Sequence, residues 1–335
     1  MAHKSNSPIS QVNLPKARGA AWRAAASLGR PIVDVFRAVV GSRESLGLDI
    51  KARRMSMDFS ARLSDALHKV SQPCLGSHGA PIFLLSAGWR SGSTLLQRML
   101  MEFNDDIVIW GEPFDHSNIY DNMMNQFRCF TTSWPPQRFF LSSLTDAKLS
   151  DKWIANLYPD IEYLLGAHRA FFDALFGIQA RAAGRRNWGL KEVRLTIEHA
   201  SYFRALYPDC KIVLLYRRPE DAYLSYRAKG GAWFRRWPNE LVATPFAFGR
   251  QWAEITQGFI DGYERHGALV LRYECLDDPT EVLRLQNYLG WRVPRASELP
   301  NRNIGGGGKT TGVLPWADRV LLDLGTGRTR ENAGY

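Results

Sequence analysis

Cysteine is scarce in this 335-residue chain, with four residues (Cys74, Cys129, Cys210 and Cys275) and no Cys-x-x-Cys pair. That spacing argues against a structural zinc site and a disulfide scaffold, and it fits a reducing cytoplasm. No run approaches the roughly 18 consecutive apolar residues a membrane span needs, so the sequence reads as soluble. A complete Walker motif, G-x-x-x-x-G-K-[ST], is also missing. No hydrophobic strand ends in the aspartate that a magnesium-dependent nucleotide hydrolase requires. Internal repeats are absent. Acidic residues are thin at one end: residues 1–75 hold 12 Lys and Arg against 5 Asp and Glu, so most of the formal charge of +10 sits there. The remainder is nearly neutral. A nucleic-acid binder carries a basic face throughout its folded domain, interleaved with stacking aromatics, and this pattern excludes one. Small anionic ligands or an anionic surface are the better partners.

What is present divides the chain at about residue 76. Residues 1–18 are rich in Ser, Asn, Pro and Lys and have a disordered composition. Residues 19–40 are Ala- and Arg-rich, with no acid before Asp34. Three readings stay open for this basic extension, residues 1–75: a targeting segment, a helix lying on an anionic membrane, or an amphipathic helix packed on its own domain. Phe59, Leu63, Leu67 and Val70 have helical spacing. From 76 to 335 the pattern alternates strands and helices. Short apolar runs fall at 82–86, 107–110, 188–190, 211–216 and 268–272. Helical stripes lie between them: Leu95, Leu96, Met99, Leu100 and Phe103; then Ile197, Ala200, Phe203 and Leu206; then Trp252, Ile255, Phe259 and Tyr263. Five buried strands separated by helices predict a three-layer α/β/α domain on a five-stranded parallel sheet. The stretch 117–181 is long and aromatic and predicts a helical insertion.

The first run leads into Ala87-Gly88-Trp89-Arg90-Ser91-Gly92-Ser93-Thr94, and a helical stripe starts at Leu95. Strand, glycine turn and helix N-terminus make an anion site, because the opening N–H groups are unpaired and the dipole favours negative charge. Gly88 and Gly92 permit tight backbone geometry, Ser91, Ser93 and Thr94 supply hydroxyls, and Arg90 adds a charged fork. The chain resembles the PAPS-dependent sulfotransferases here, in the Arg-Ser-Gly-Ser form of bacterial and carbohydrate-modifying members (PAPS is 3′-phosphoadenosine 5′-phosphosulfate). The resemblance implies a P-loop-like fold, PAPS as donor with PAP as product, no metal, and a 5′-phosphate held by Arg90, Ser91, Gly92, Ser93 and Thr94.

Run 211–216 is followed by Arg217-Arg218-Pro219-Glu220-Asp221, with Ser225 two helical turns on. Pro219 suits a first helical position and the two acids suit the opening turn. Arg217 then stands at the carboxyl end of a strand, where open α/β sheets bind ligands. An arginine after a strand with a serine eight residues later is similar to the family's 3′-phosphate site, which assigns Arg217 and Ser225 to that phosphate. Arg218 receives no role.

Transfer to a hydroxyl needs a base and positive charge around the moving group. Glu112, in Trp110-Gly111-Glu112-Pro113-Phe114, ends run 107–110 and faces the crevice of the first loop. It is the candidate base, His116 is its rival, and pairing of Glu112 with a nearby arginine is the structural alternative. Run 188–190 leads into Lys191-Glu192-Val193-Arg194. Cytosolic members carry a lysine here and a catalytic histidine two residues later; this chain keeps Lys191 but has Val193, a departure that strengthens Glu112. Lys191 is either a contact to the sulfuryl group or a solvated lysine. Gly305 to Gly312 imitate a Walker loop but place Asn303 at its first glycine. The family's C-terminal closure implies contact of Lys309 with the 3′-phosphate; a flexible linker is the alternative. Trp233, Phe234 and Trp237, interleaved with Arg235 and Arg236, read as a lid for a sugar or lipid headgroup or as a helix-edge cluster.

The expectation is sulfuryl transfer from PAPS to a hydroxyl, carbohydrate or glycolipid, by in-line displacement with a carboxylate base. The enzyme is expected in the cytoplasm, with residues 19–75 touching anionic membrane. The competing readings are a nucleotide kinase or ATPase, and a non-catalytic, membrane-associated PAP-binding protein.

Overall fold

A computed structural model describes residues 80–112, 119–131, 133–141, 154–228, 236–237, 240–300 and 312–335. The expectations for residues 1–75 and the boundary at 76, for His116, for Lys309 and for the aromatic cluster at 233–237 concern residues or side chains outside that set. Strands β1 (Ile82–Ser86), β2 (Ile107–Trp110), β3 (Asn187–Glu192) and β4 (Lys211–Tyr216) are followed by β5 (Arg236–Trp237) and β6 (Glu240–Leu241), then β7 (Leu269–Arg272). Five of them form one sheet in the order β2-β3-β1-β4-β7, every neighbour parallel. β5 and β6 pair antiparallel outside it. The sheet is the one the sequence implied.

The helices are α1 (Ser93–Glu102), α2 (Ile119–Asn125), α3 (Glu162–Phe172), α4 (Ile178–Ala182), α5 (Ile197–Leu206), α6 (Pro219–Ala228), α7 (Pro245–Gly262), α8 (Pro279–Leu289), α9 (Trp316–Thr326) and α10 (Thr329–Asn332). β1 shows why three layers result. All five of its residues are buried, and alternate side chains enter two different cores. Ile82 and Leu84 join Leu96, Met99 and Leu100 of α1 and Val282, Leu285 and Leu289 of α8. Phe83 and Leu85 join Phe203 of α5 and Trp252 and Phe259 of α7. The Phe83 and Phe203 rings stack with centroids 4.0 Å apart.

Two of the three helical stripes run one residue past their helices, while Leu206 still lies within α5. Phe103 is the C-cap of α1, half exposed, with the Arg292 guanidinium 4.9 Å over its ring. Tyr263 caps α7 and turns its hydroxyl to Glu264. The described part of 117–181 is mostly helical, as expected, with one β-bridge between Phe140 and Tyr158. A π-helical stretch, Asp173–Gly177, joins α3 to α4, and Tyr120, Phe127, Phe172 and Phe176 extend the core beside α5. Tyr207 and Arg169 both engage Asp173 there.

Candidate functional site

The loop after β1 is wound tightly by its backbone. Gly88, Arg90 and Gly92 all have positive φ, at 85°, 66° and 91°. Glycine adopts that region freely, whereas Arg90 does so at a cost of about 1–2 kcal/mol. Arg90 is the only residue other than glycine with positive φ among the described residues, and such strain gathers at functional sites. Gly92 is the N-cap of α1, which has no side-chain cap. The first turn closes on Gly92 O, which accepts from Leu95 and Leu96 N–H at 3.0 and 3.2 Å. The earlier N–H groups of that turn are oriented to meet an anion. A side chain at position 92 has no room: its Cβ would fall 2.0 Å from Cδ2 of Tyr273.

The second motif folds onto this loop. α6 starts at Pro219, with Glu220 and Asp221 in its first turn and Ser225 on its buried face. Arg90 Nε donates to Ser225 Oγ at 2.8 Å, and Arg217 Nη1 donates to Arg90 O at 3.1 Å. The Arg217 guanidinium lies 4.3 Å over the Tyr273 ring, and its carbonyl accepts from Trp252 Nε1 at 2.8 Å. Two segments far apart in sequence therefore make one cluster at the carboxyl ends of β1 and β4.

The cluster is short of negative charge. Burial and then the Arg217 charge hold the Arg90 pKa below its ordinary value, against a smaller opposing effect of Tyr273. Among the described residues neither arginine is ion-paired. Ser86 and Ser91 are fully buried, and among the described residues Ser86 Oγ, Ser91 Oγ and Arg217 Nε have no hydrogen-bond partner. Orphaned donors beside two converging cations fit a bound anion of more than one charge. Ser93 is buried and Thr94 exposed.

A second constellation lies at the ends of the adjacent strands β2 and β3. Glu112 Oε1 accepts from Lys191 Nζ. The Lys191 side chain is 6% exposed and that of Glu112 24%, so the lysine is not a solvated one. Its burial follows from its place inside β3, in register with Leu84 of β1. Among the described residues the partner of Glu112 is thus Lys191, not a nearby arginine. Beside this pair Arg194 holds Glu192 through two contacts of 3.1 Å, and Val193 N–H donates to Glu192 Oε1 at 2.8 Å. Burial raises the Glu192 pKa, the Arg194 hydrogen bond and charge oppose it, and Glu112 adds to the rise. Val193 itself is buried in the core.

Arg90, Ser91, Arg217 and Ser225 are brought together, and so are Glu112 and Lys191. Sequence reasoning missed Tyr273, Trp252 and Ser86, which fix the arginines and line the loop. Tyr273 directly follows β7, and that position was the one available signal; nothing marked Trp252 as more than a core residue of α7.

The sulfotransferase family matches this chain over residues 81–294. Among solved structures, the sulfotransferase domain of the Synechococcus PCC 7002 olefin synthase is 16% identical, over 79% of this chain and 98% of that one, with a TM-score of 0.41. A sulfotransferase from Alicyclobacillus acidocaldarius is 19% identical, over 76% of this chain and 95% of that one, with a TM-score of 0.40. No curated protein matches the chain.

Proposed function

This chain belongs to the sulfotransferase family, and on that premise we propose that it transfers a sulfuryl group from PAPS to a hydroxyl of a carbohydrate or glycolipid. The observation that carries the choice of donor is the junction of the two anion motifs: Arg90 bonded to Ser225, Arg217 bonded to the Arg90 carbonyl, and orphaned donors at Ser91 and Arg217. A nucleotide phosphorylated at both ends of its ribose supplies negative charge to both.

Gly88, Arg90, Ser91, Gly92, Ser93 and Thr94 would hold the 5′-phosphate through the N-terminus of α1. Arg217 and Ser225 would hold the 3′-phosphate, with Lys309 closing over it. Bound there, PAPS supplies the activated sulfuryl group. The Lys191 ammonium neutralises charge growing on the transferred oxygens, and Arg90 assists from the loop. Glu112 takes the acceptor's proton on Oε2, the oxygen not held by Lys191, while Lys191 keeps the carboxylate aimed. The carbohydrate or glycolipid acceptor rests on the Arg-Ser-Gly-Ser loop form and on the aromatic cluster at 233–237. No described helix is long and apolar enough to cross a membrane; contact with anionic membrane is assigned to residues 19–75.

Thermal unfolding tests the donor. PAP should raise Tm without added Mg²⁺, by ligand linkage, and ATP should do much less. Arg217→Ala should abolish most of that shift. Greater stabilisation by ATP·Mg²⁺ than by PAP would overturn the assignment in favour of a kinase. Transfer from labelled PAPS to a panel of glycans, glycolipids and phenols identifies the acceptor; transfer to phenols alone would reject the carbohydrate class.

A further inference from the structure

The turn that carries Arg217 is gripped by residues outside the anion site. Glu274 Oε1 accepts from the Arg218 N–H at 2.9 Å, and Glu274 Oε2 accepts from the Tyr335 hydroxyl at 2.5 Å. The Tyr335 ring meets Tyr216 edge-on at 6.1 Å, lies 6.3 Å from Trp252, and carries the Arg218 guanidinium 5.7 Å over its face. Tyr216 OH donates to Ala333 O at 3.3 Å, and Arg330 pairs with Glu220. Residues 330–335 thus touch positions 216, 218 and 220, on both sides of Arg217, together with Trp252, which binds the Arg217 carbonyl. Glu274 adjoins Tyr273, whose ring stacks on the Arg217 guanidinium.

We propose that Tyr335 and Glu274 are positioning residues that hold the turn after β4 so that Arg217 points into the anion site. This rests on the reading of that site as the PAP pocket. A long cationic side chain on an unsupported turn samples many orientations, and binding then costs the entropy of fixing it. The clamp removes that freedom before the ligand arrives. A merely structural Tyr335 would stabilise the fold without acting through Arg217.

A double-mutant cycle separates the two. PAP affinity is measured by calorimetry for wild type, Tyr335→Ala, Tyr335→Phe, Arg217→Ala and the two double mutants, with Tm recorded for each. Tyr335→Ala should weaken PAP about tenfold and Tyr335→Phe, which removes one hydrogen bond and keeps the ring, about threefold. In the Arg217→Ala background both losses should shrink to less than about twofold. Equal losses in both backgrounds, or no loss in either, overturn the clamp. If Tyr335→Ala does not fold, the Tyr335→Phe cycle decides alone. A wild type that binds no PAP defeats the nucleotide reading and the clamp together. PAP binding that depends on Arg217 but ignores Tyr335 defeats the clamp only.

Discussion

Gly92→Ala should be far more damaging than Gly88→Ala, although both glycines have nearly the same backbone conformation. Their φ values are 91° and 85°, so either alanine carries a left-handed penalty of about 1–2 kcal/mol. Only at 92 does the added methyl meet filled space, with Tyr273 Cδ2 and Cε2 at 2.0 and 2.3 Å, while nothing lies within 4 Å at 88. Overpacking of this kind costs a further ~1–3 kcal/mol. Displacing the ring also loosens its stack on Arg217, worth ~0.5–2 kcal/mol. Urea unfolding of the ligand-free protein should therefore give a loss of about 1–2 kcal/mol for Gly88→Ala and about 2.5–7 kcal/mol for Gly92→Ala. Removing the ring isolates the cause. In a Tyr273→Ala background the cost of Gly92→Ala should fall to that of Gly88→Ala. Equal costs for the two single substitutions would refute the contact, as would a Gly92→Ala cost unchanged by loss of the Tyr273 ring.

Glu112→Gln should lower kcat about 10²–10⁴-fold with PAP affinity nearly unchanged, and His116→Ala should cost less than about tenfold; the reverse pattern in steady-state kinetics would make His116 the base. His168 is buried between the Tyr202 hydroxyl, on Nδ1, and Gln126 Oε1, on Nε2, and burial lowers its pKa from 6.5 to about 4. The unfolded chain then binds a proton that the folded one refuses, so His168 should destabilise the fold by up to roughly 3 kcal/mol as pH falls from 6.5 to 4. His168→Gln should flatten urea stability over that window, and an unchanged slope would refute it. A variant beginning at residue 76 should keep PAP binding and lose association with anionic vesicles; equal vesicle binding by both forms would end the membrane assignment.

The central strands β1, β3 and β4 were legible because they are buried on both faces. β1, β2 and β4 coincide with apolar runs, and β3 extends past its run because Asn187, Lys191 and Glu192 are polar residues carried inside the sheet. The tight turn after β1 was legible because Gly88, Arg90 and Gly92 are local in sequence. What was not legible is pairing across the fold. Nothing in Glu112 or Lys191 alone announces that neighbouring strands put one against the other, and nothing in Tyr273 announces that its ring takes the place of a Gly92 side chain. Such contacts come from strand order, which local periodicity does not encode.

Strand order also sets when the site can exist. β1 occupies the middle of the sheet, yet both of its partners, β3 and β4, lie far downstream, and the Arg90–Ser225 bond spans 135 residues. Contacts of such long range make for slow folding, since loop closure precedes any reward. A growing polypeptide that has made the loop after β1 but not the later elements leaves apolar flanks of β1 uncovered, the kind of surface that chaperones engage. Nucleotide capture in refolding experiments should accordingly arrive late and together with the last tertiary contacts, making ligand binding a reporter of completed folding rather than of any early intermediate.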